Sequence, residues 1–491
     1  MTDDLRRRTV SSIGWVVLER WSVRLLSLLV LVILSRVLSP ADFGLVALAT
    51  SATALLQVVS DSGFSRALIQ RRRLDPADAS TAFWASMVLA IVLAAVLVLT
   101  APLIALALSS PGLTPILQIL SIGLPLSALS QVPAALLERD LDFKPLSFRQ
   151  FIGALCGALV SVPLALIGWG VWALVAQTLV ASAAAVIALW TSTSWRPRWE
   201  FSWQSFRNLW AVGGAILGVD LMDAVQANID KIVIGVLFSP TELGYYFLAQ
   251  RLGTILIELV TSVVSRVSLT TFSRVQDDRP RLNRIFRQLT FAASAVSVGV
   301  FGLVAVLAPQ LIPTLFGSGW DAAVPIIWVL APGWAIGAVM YFDRNALLAT
   351  GNARSALWLA LLQNVVSIIM VFVFAPFGVI GIAFSRLARF VVWPVRLIVL
   401  RRAIGLRVWR YLLQIIRCVA ASVVPFGAVA LLQLTPWADT ERAFFAFALP
   451  LAAAAGIIYA GLLWAVAGTE NRLVIRSIVS VVTARARRRS S

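Results

Sequence analysis

Fourteen apolar stretches, most of them close to 20 residues long, divide the chain, and short polar segments join them. A helix needs about 20 apolar residues to cross the roughly 30 Å hydrocarbon core of a bilayer. Hydrophobic residues make up 60% of the 491 residues and charged residues only 13%, unlike a soluble domain. The predicted fold class is therefore all-α integral membrane, with 14 transmembrane helices. The predicted spans are 13–35, 43–66, 81–108, 115–137, 150–167, 172–193, 211–237, 245–272, 289–308, 325–349, 356–375, 379–400, 412–434 and 443–468.

The basic residues between these stretches predict how the chain is oriented. With the N-terminus placed in the cytoplasm, 29 basic residues fall on the inner side and two, Arg36 and Arg442, on the outer side. Positive residues are enriched in cytoplasmic loops, so both termini are predicted to be cytoplasmic. Membrane topology thereby explains the net charge of +18 without nucleic-acid binding. The basic tail from Arg485 to Arg489 predicts contact with anionic membrane lipids.

The residue types that are missing exclude several chemistries. The sequence contains no histidine, which removes imidazole acid–base catalysis and His-ligated metals. The two cysteines, Cys156 and Cys418, are too far apart in sequence to form a CxxC motif. No connecting segment exceeds about 20 residues, which is too short for an extramembrane catalytic domain. The sequence therefore predicts no catalytic residue, no metal site and no enzyme activity.

An internal repeat predicts that two similar halves make up most of the chain. SPADFG (39–44) returns as SPTELG (239–244), and GVWALVAQ from Gly170 is echoed by GVIGIAFS from Gly378. In the first pair, Ser precedes Pro and an acidic residue follows three positions later, which is the pattern of a capping box. Asp42 and Glu242 are therefore assigned a structural role. The offsets of 200 and 208 residues indicate duplication of a six-span unit.

The repeat also predicts the domain organisation. Two pseudo-symmetric six-helix lobes would surround a central cavity, as in transporters that work by alternating access, with two further helices at the C-terminus. The predicted divisions are an N-lobe at 1–194, a cytoplasmic interlobe linker at 195–210, a C-lobe at 211–405, and spans 13 and 14 with the basic tail at 406–491.

Charges within the spans predict the nature of the substrate. Ten basic and seven acidic residues lie there, which leaves a surplus of three positive charges and favours an anionic substrate. Arg20 and Arg24 share one face of the first span, and Arg386 and Arg389 are three residues apart on the twelfth. Arginine suits phosphate because its planar guanidinium donates two parallel hydrogen bonds. The alternative is structural pairing of these arginines with nearby carboxylates.

Carboxylates within the spans leave two roles open. Asp220, Asp223 and Asp230 follow one face of the seventh span, with the first two close to the midplane. Glu258 follows Arg251 by seven residues on the eighth span, which is about two helical turns. Glu19 is adjacent to Arg20 in the sequence. Such groups can carry H⁺ or Na⁺, or they can neutralise the arginines. Asp61, in the segment SDSGF, is instead predicted to anchor a loop.

Several segments carry a family resemblance. The run LSPADFGLVALATSATALLQVVSDSGFSRALIQRRRL, and later PAALLERDLDFK (133–144), NIDKIVIGVLFSPTELGYYFLAQRL (228–252), LFGSGWDAAVPII (315–327) and ATGNARS (349–355), resemble the polysaccharide transporter family of oligosaccharide-lipid flippases. This family shares a superfamily with multidrug and toxic compound extrusion pumps and lipid II flippases. The resemblance covers roughly residues 1–400.

The resemblance implies a function. It implies two six-helix bundles around a cationic central cavity, and transfer of an undecaprenyl-pyrophosphate-linked oligosaccharide from the inner to the outer leaflet of the bacterial inner membrane. The expected partners are this polyprenyl-pyrophosphate-linked glycan, anionic lipids, and polysaccharide polymerase or export machinery. The residues predicted to bind the pyrophosphate are Arg20, Arg24, Arg251, Arg386 and Arg389. Those predicted for ion coupling or charge balance are Glu19, Asp220, Asp223 and Glu258.

Four other functions compete with this prediction. One is a non-transporting scaffold, in which the paired arginines within the spans would be a cost with no compensation. An ion-coupled multidrug or metabolite exporter would favour an acidic or aromatic cavity, against the positive surplus. A lipid II flippase would share the fold and the anionic headgroup. A membrane polymerase or glycosyltransferase needs a sizeable outer loop with catalytic residues, whereas the longest predicted outer loop, 309–324, carries one charge, Asp321.

Overall fold

The computed structural model describes residues 21–71, 74–274, 278–433 and 447–467, which form helices and no strand. The chain divides into two compact units, residues 1–248 and 249–491, and the boundary lies within one long helix. These two units do not test the division into lobes, linker and C-terminal helices that the sequence predicts, so that division remains a prediction.

The first unit is built from consecutive helices with short connections. Its helices are α1 (21–37), α2 (Pro40–Asp61), α3 (Phe64–Gln70), α4 (Pro76–Ala107), α5 (Leu113–Leu120), α6 (Gly123–Arg139), α7 (Phe143–Leu166), α8 (Val171–Ser192), α9 (Trp203–Leu237) and the first turns of α10 (Pro240–Arg274).

The second unit contains the remainder of α10 and seven further helices. These are α11 (Arg279–Phe316), α12 (Ala323–Ala349), α13 (Ala353–Phe374), α14 (Gly378–Ala388), α15 (Trp393–Ile404), α16 (Val408–Gln433) and α17 (Leu449–Val466). Short 3₁₀ segments at Ser318–Trp320, Ala375–Phe377 and Arg389–Val392 join some of them.

Eleven helical stretches in the described part of the chain are long and apolar enough to cross a membrane. One of them, Ala353–Ile404, contains two of the predicted spans. Helices α1 and α10 occupy the positions of two other predicted spans but are not among the eleven. The chain is therefore a multi-pass helical membrane protein, and the count of 14 spans remains a prediction.

Both copies of the repeated motif begin a helix through the predicted capping box. At α2, the Ser39 hydroxyl accepts a hydrogen bond from the Asp42 amide, and the Asp42 carboxylate accepts one from the Ser39 amide. Ser239 and Glu242 repeat this arrangement at α10. Each motif thus satisfies amide groups that the first helical turn leaves without intrahelical partners. The structural role predicted for both acidic residues is confirmed.

The two motifs also pack directly against each other. A Cβ atom on Gly44 would overlap the carbonyl of Pro240, and a Cβ on Gly244 would overlap the carbonyl of Pro40. Both glycines are buried. The contact is reciprocal, as expected for two copies related by a local twofold axis, and only glycine allows the backbones to come this close.

Helix α2 ends sooner than predicted because the segment SDSGF forms a tight turn. Ser62 and Gly63 adopt left-handed backbone conformations, with φ of 49° and 68°, and α3 follows at once. The predicted span 43–66 therefore stops at Asp61. The Ser65 hydroxyl donates a 2.6 Å hydrogen bond to the Asp61 carboxylate, which confirms that Asp61 anchors this turn.

Tryptophans hold the extended segment before α9 against α4. The rings of Trp84 and Trp199 stack with centroids 4.2 Å apart, and the Trp84 indole donates to the Arg198 carbonyl at 2.8 Å. Helix α9 then begins at Trp203, eight residues before the predicted span, because the Ser202 side chain caps it by accepting a hydrogen bond from the Ser205 amide. Part of the predicted linker is therefore helical.

Candidate functional site

The predicted pyrophosphate-binding residues are distributed over both units. Arg24 lies half-buried on α1 in the first unit. Arg251 is exposed on α10, and Arg386 and Arg389 are half-buried near the end of α14, all in the second unit. Arg20, like Glu19, lies outside the described residues. Predicted arginines are thus present on helices of each unit.

Arg389 opens an irregular segment inside a predicted span. The span predicted at 379–400 is not a uniform α-helix, because residues Arg389–Val392 tighten into a 3₁₀ turn between α14 and α15. Pro394 is the physical cause: it lacks an amide hydrogen, and its ring clashes with the carbonyl four residues earlier, that of Phe390. Interrupted spans mark the substrate and ion sites of many transporters. The Arg389 guanidinium also lies 5.1 Å from the ring centroid of Phe390.

The predicted acidic residues of α9 lie in different environments. Asp220 is mostly buried, and its carboxylate lies 2.6 Å from the guanidinium of Arg66 on α3. Asp223, one turn later, is exposed. The sequence analysis placed Arg66 in a connecting segment and gave it no role. The tight turn at Gly63 and the short helix α3 that follows it bring Arg66 to Asp220.

Close backbone packing positions this ion pair. A Cβ on Gly63 would overlap the Gly213 carbonyl of α9, and a Cβ on Gly213 would lie 2.8 Å from the Ser62 carbonyl. The start of α3 therefore lies directly against α9, two turns before Asp220. Charge balance between Asp220 and Arg66 is one of the two roles that the sequence left open.

Asp230 belongs to a buried polar contact at the far end of α9. Its side chain is completely buried and accepts a hydrogen bond from the Tyr246 hydroxyl on α10, which is also completely buried. On the same helix, the Lys231 ammonium donates to the Asn228 side chain at 2.7 Å. Asn228, Asp230 and Lys231 belong to the segment NIDKIVIGVLF, and the contact between Asp230 and Tyr246 joins α9 to α10 within the first unit.

Replacing Tyr246 with Phe is expected to destabilise the protein by about 1–3 kcal/mol, because the buried Asp230 carboxylate would lose a hydrogen-bond donor. The measurement is the thermal unfolding midpoint of the purified protein in detergent. Tyr341→Phe, at a tyrosine that is 45% exposed, is the matched control and should leave the midpoint unchanged. Equal midpoints for wild type and Tyr246→Phe would show that the contact contributes nothing to stability.

A buried charge pair lies in the second unit. Asp343 of α12 is completely buried, and its carboxylate lies 3.1 Å from the Nε atom of Arg396 on α15. The Arg396 guanidinium also donates a 2.8 Å hydrogen bond to the Gln363 side chain on α13. The sequence analysis counted both charges within spans but assigned neither a role. Their positions, 53 residues apart, carry no spacing pattern that would pair them.

Helices α12 and α15, which carry this pair, also line an apolar cavity. It has a volume of about 310 Å³ and lies among α11, α12, α15 and α16. Phe301, Trp328, Val339, Trp393 and Val419 contribute to its walls. Trp393 stands one turn before Arg396, and Val339 one turn before Asp343. On each of these two helices, a wall residue of the cavity therefore lies one turn from a member of the charge pair.

Comparison with known proteins relates the chain to a family. The sequence profile of a family described as polysaccharide biosynthesis protein matches residues 33–325. The succinoglycan biosynthesis transport protein ExoT of Rhizobium meliloti is 28% identical over 367 residues, 74% of each chain. The teichuronic acid biosynthesis protein TuaB of Bacillus subtilis is 25% identical over 72% of this chain and 74% of its own. The lipopolysaccharide biosynthesis protein WzxC of Escherichia coli is 23% identical over 66% and 67%.

Solved structures share the fold. The lipid II flippase MurJ in an inward closed conformation superposes with a TM-score of 0.75 and 14% identity, over 91% of this chain and 98% of its own. An inward-facing multidrug resistance transporter of the MATE family superposes with a TM-score of 0.54 and 14% identity, over 84% and 98%. At this level of identity the comparison concerns the fold alone.

Proposed function

The chain belongs to the polysaccharide biosynthesis protein family, and on that premise we propose that it is a flippase for a lipid-linked glycan. Its substrate is an undecaprenyl-pyrophosphate-linked oligosaccharide repeat unit, which it moves from the inner to the outer leaflet of the bacterial inner membrane. The glycan serves synthesis of an exopolysaccharide, capsule or similar envelope polymer. The relatives ExoT, TuaB and WzxC, named for the biosynthesis of succinoglycan, teichuronic acid and lipopolysaccharide, support this assignment.

The observation that carries the proposal is the half-buried Arg389 at the proline-induced break of a membrane span. Ionisable residues within membrane spans are rare and commonly mark the path of a substrate or an ion. A pyrophosphate suits an arginine there, because it accepts paired hydrogen bonds from guanidinium groups. In this proposal Arg20, Arg24, Arg251 and Arg386 contribute with Arg389 to its binding.

The transport cycle in this proposal is alternating access. A substrate drives a change between two states only by binding them with different affinity, so the arginine contacts must differ between the states. Coupling to H⁺ or Na⁺ returns the protein to its starting state. The contact with Arg66 favours charge balance for Asp220, whereas Glu19, Asp223 and Glu258 keep both proposed roles, ion coupling and charge balance.

The proposed orientation places both termini in the cytoplasm. The 29 basic residues on the predicted inner side support it, as does the basic tail, which would contact anionic lipids. The flipped glycan is handed to polymerase or export machinery on the outer side. No chemical bond changes in this process, so the proposed activity is transport and not catalysis.

The test is a reconstitution in liposomes that carry a radiolabelled undecaprenyl-pyrophosphate oligosaccharide. We expect the oligosaccharide to become accessible to an added glycosidase only when the protein is present, because the enzyme cannot enter the vesicle. Empty liposomes are the control. Parallel vesicles contain lipid II or a cationic dye. Transfer of either compound without transfer of the lipid-linked oligosaccharide would overturn the proposed substrate.

A further inference from the structure

We propose that Asp343 is a proton-binding site that couples transport to the proton gradient. The inference rests on the proposed transport function and adds the coupling ion and its binding residue. In the proposed step the Asp343 carboxylate takes up one H⁺ from the aqueous phase on one side, becomes a neutral carboxylic acid, and releases the H⁺ to the other side later in the cycle. No bond other than this O–H bond forms or breaks.

The Asp343 carboxylate is buried in a geometry that disfavours its ionised form. The Asp343 side chain is completely buried, and neither of its oxygens accepts a hydrogen bond from the described residues. Its one close cation, Arg396, approaches to 3.1 Å through Nε, but that N–H group is not aligned for a hydrogen bond. An ionised carboxylate so poorly solvated is costly, and protonation removes that cost.

Arg396 has a second partner, Gln363, besides Asp343. Its guanidinium donates to the Gln363 side chain at 2.8 Å, so it keeps one hydrogen bond when Asp343 becomes neutral. The attraction between α12 and α15 would then weaken, while the contact between α15 and α13 would remain. Protonation of one residue would thus alter how α15 is held, and α15 begins at the break that contains Arg389.

The surroundings favour a proton over a metal cation. The described residues contain no group of three or more acidic or cysteine side chains able to hold a metal ion. A guanidinium at 3.1 Å would also repel Na⁺, which needs several oxygen ligands. A proton needs only one carboxylate oxygen, and Asp343 supplies that oxygen.

The groups that face Asp343 come from each packed helix. Helix α15 contributes the charged Arg396 and α16 the fully buried Tyr411, the two ionisable groups that interact with the carboxylate among the described residues. Helix α13 contributes the neutral Gln363 through Arg396. The apolar residues Phe286 and Phe342 complete the packing around Tyr411 and α12.

The experiment begins with infrared difference spectra of the purified full-length protein between acidic and alkaline buffer. A buried carboxylic acid without hydrogen bonds absorbs at the high-frequency end of the carboxyl region, so Asp343 should have a distinct band. We expect Asp343→Asn to remove this band. Asp321→Asn, at an exposed carboxylate in a connecting segment, is the matched control and should retain it.

The second arm measures flipping in liposomes with and without an imposed pH gradient. We expect the gradient to accelerate wild-type flipping several-fold and to leave Asp343→Asn unaffected. The double variant Asp343→Asn/Arg396→Gln removes both charges and so avoids an unpaired buried guanidinium. If the pair were merely structural, this variant would regain the response to the gradient; under the proposal it remains unresponsive.

Three results would overturn the proposal. They are persistence of the band in Asp343→Asn, recovery of the gradient response in the double variant, and wild-type flipping that ignores the gradient. In each case the proposed flippase function stands, since glycan transfer is measured separately. Conversely, a protein that moves no lipid-linked glycan but loses the band in Asp343→Asn would refute the flippase and retain the proton site.

Discussion

Replacing Arg389 or Arg24 with Ala is expected to abolish flipping of the lipid-linked oligosaccharide while leaving the amount of protein in the membrane unchanged. Each hydrogen-bonded contact between a guanidinium and a phosphate contributes about 1.5–3 kcal/mol, which corresponds to a loss of roughly 10-fold to more than 100-fold per residue. Arg389 should show the larger loss, because it occupies the irregular turn created by Pro394. The measurement is the rate at which the labelled oligosaccharide becomes accessible in liposomes.

The charge-preserving variants Arg24→Lys and Arg389→Lys refine this prediction. Lysine keeps the positive charge but donates to phosphate as a point charge, so partial activity is expected. Arg402→Ala, at an exposed arginine near the end of α15, is the matched control for loss of one positive charge. Normal flipping in both Arg24→Ala and Arg389→Ala would refute their assignment to the pyrophosphate site.

Replacing Gly44 with Leu is expected to destabilise the protein by about 3 kcal/mol. The first atom of the new side chain would overlap the carbonyl of Pro240, which is backbone and cannot rotate away as a side chain could. Overpacking of a tightly packed contact typically costs about 1–3 kcal/mol, and the upper end applies where backbone must move. Gly244→Leu should have the same effect, because it would meet the Pro40 carbonyl in the reciprocal position. The measurement is the thermal unfolding midpoint in detergent.

Gly461→Leu is the matched control for the glycine prediction. Gly461 is exposed in the middle of α17, and no atom lies within 4 Å of the position its Cβ would occupy. The control should leave the midpoint unchanged or raise it slightly, because glycine inside a helix costs about 0.5–1 kcal/mol relative to alanine. A midpoint for Gly44→Leu equal to that of the control would show that the two repeated motifs do not pack as closely as described.

Local sequence patterns were sufficient to predict the helices and several of their ends. The capping boxes at Ser39 and Ser239 form as predicted, because a capping box involves residues only three positions apart. Apolar length identified the spans, since the bilayer requires it whatever the helices pack against. The polysaccharide family was also evident from short motifs, and the family profile confirms it over residues 33–325.

The contacts of the candidate site could be predicted from the sequence less fully than the helices. The charges within the spans could be counted, but their partners could not be assigned: Asp220 contacts Arg66, and Asp343 contacts Arg396. The early end of α2 at Asp61 and the 3₁₀ turn at Arg389 were likewise missed, although Gly63 and Pro394 are visible signals for both. The roles of the predicted arginines in binding remain predictions.

The sequence by itself determined that this chain crosses the membrane many times and that its motifs are those of a polysaccharide biosynthesis protein, and it predicts a surplus of positive charge within the predicted spans. These properties depend on composition and on neighbours a few residues apart. Only the tertiary structure decided that Gly44 meets the second copy of its own motif and that Asp343 is buried beside a single guanidinium. Such contacts join residues 50 to 200 positions apart, and helix packing, which no local pattern encodes, brings them together.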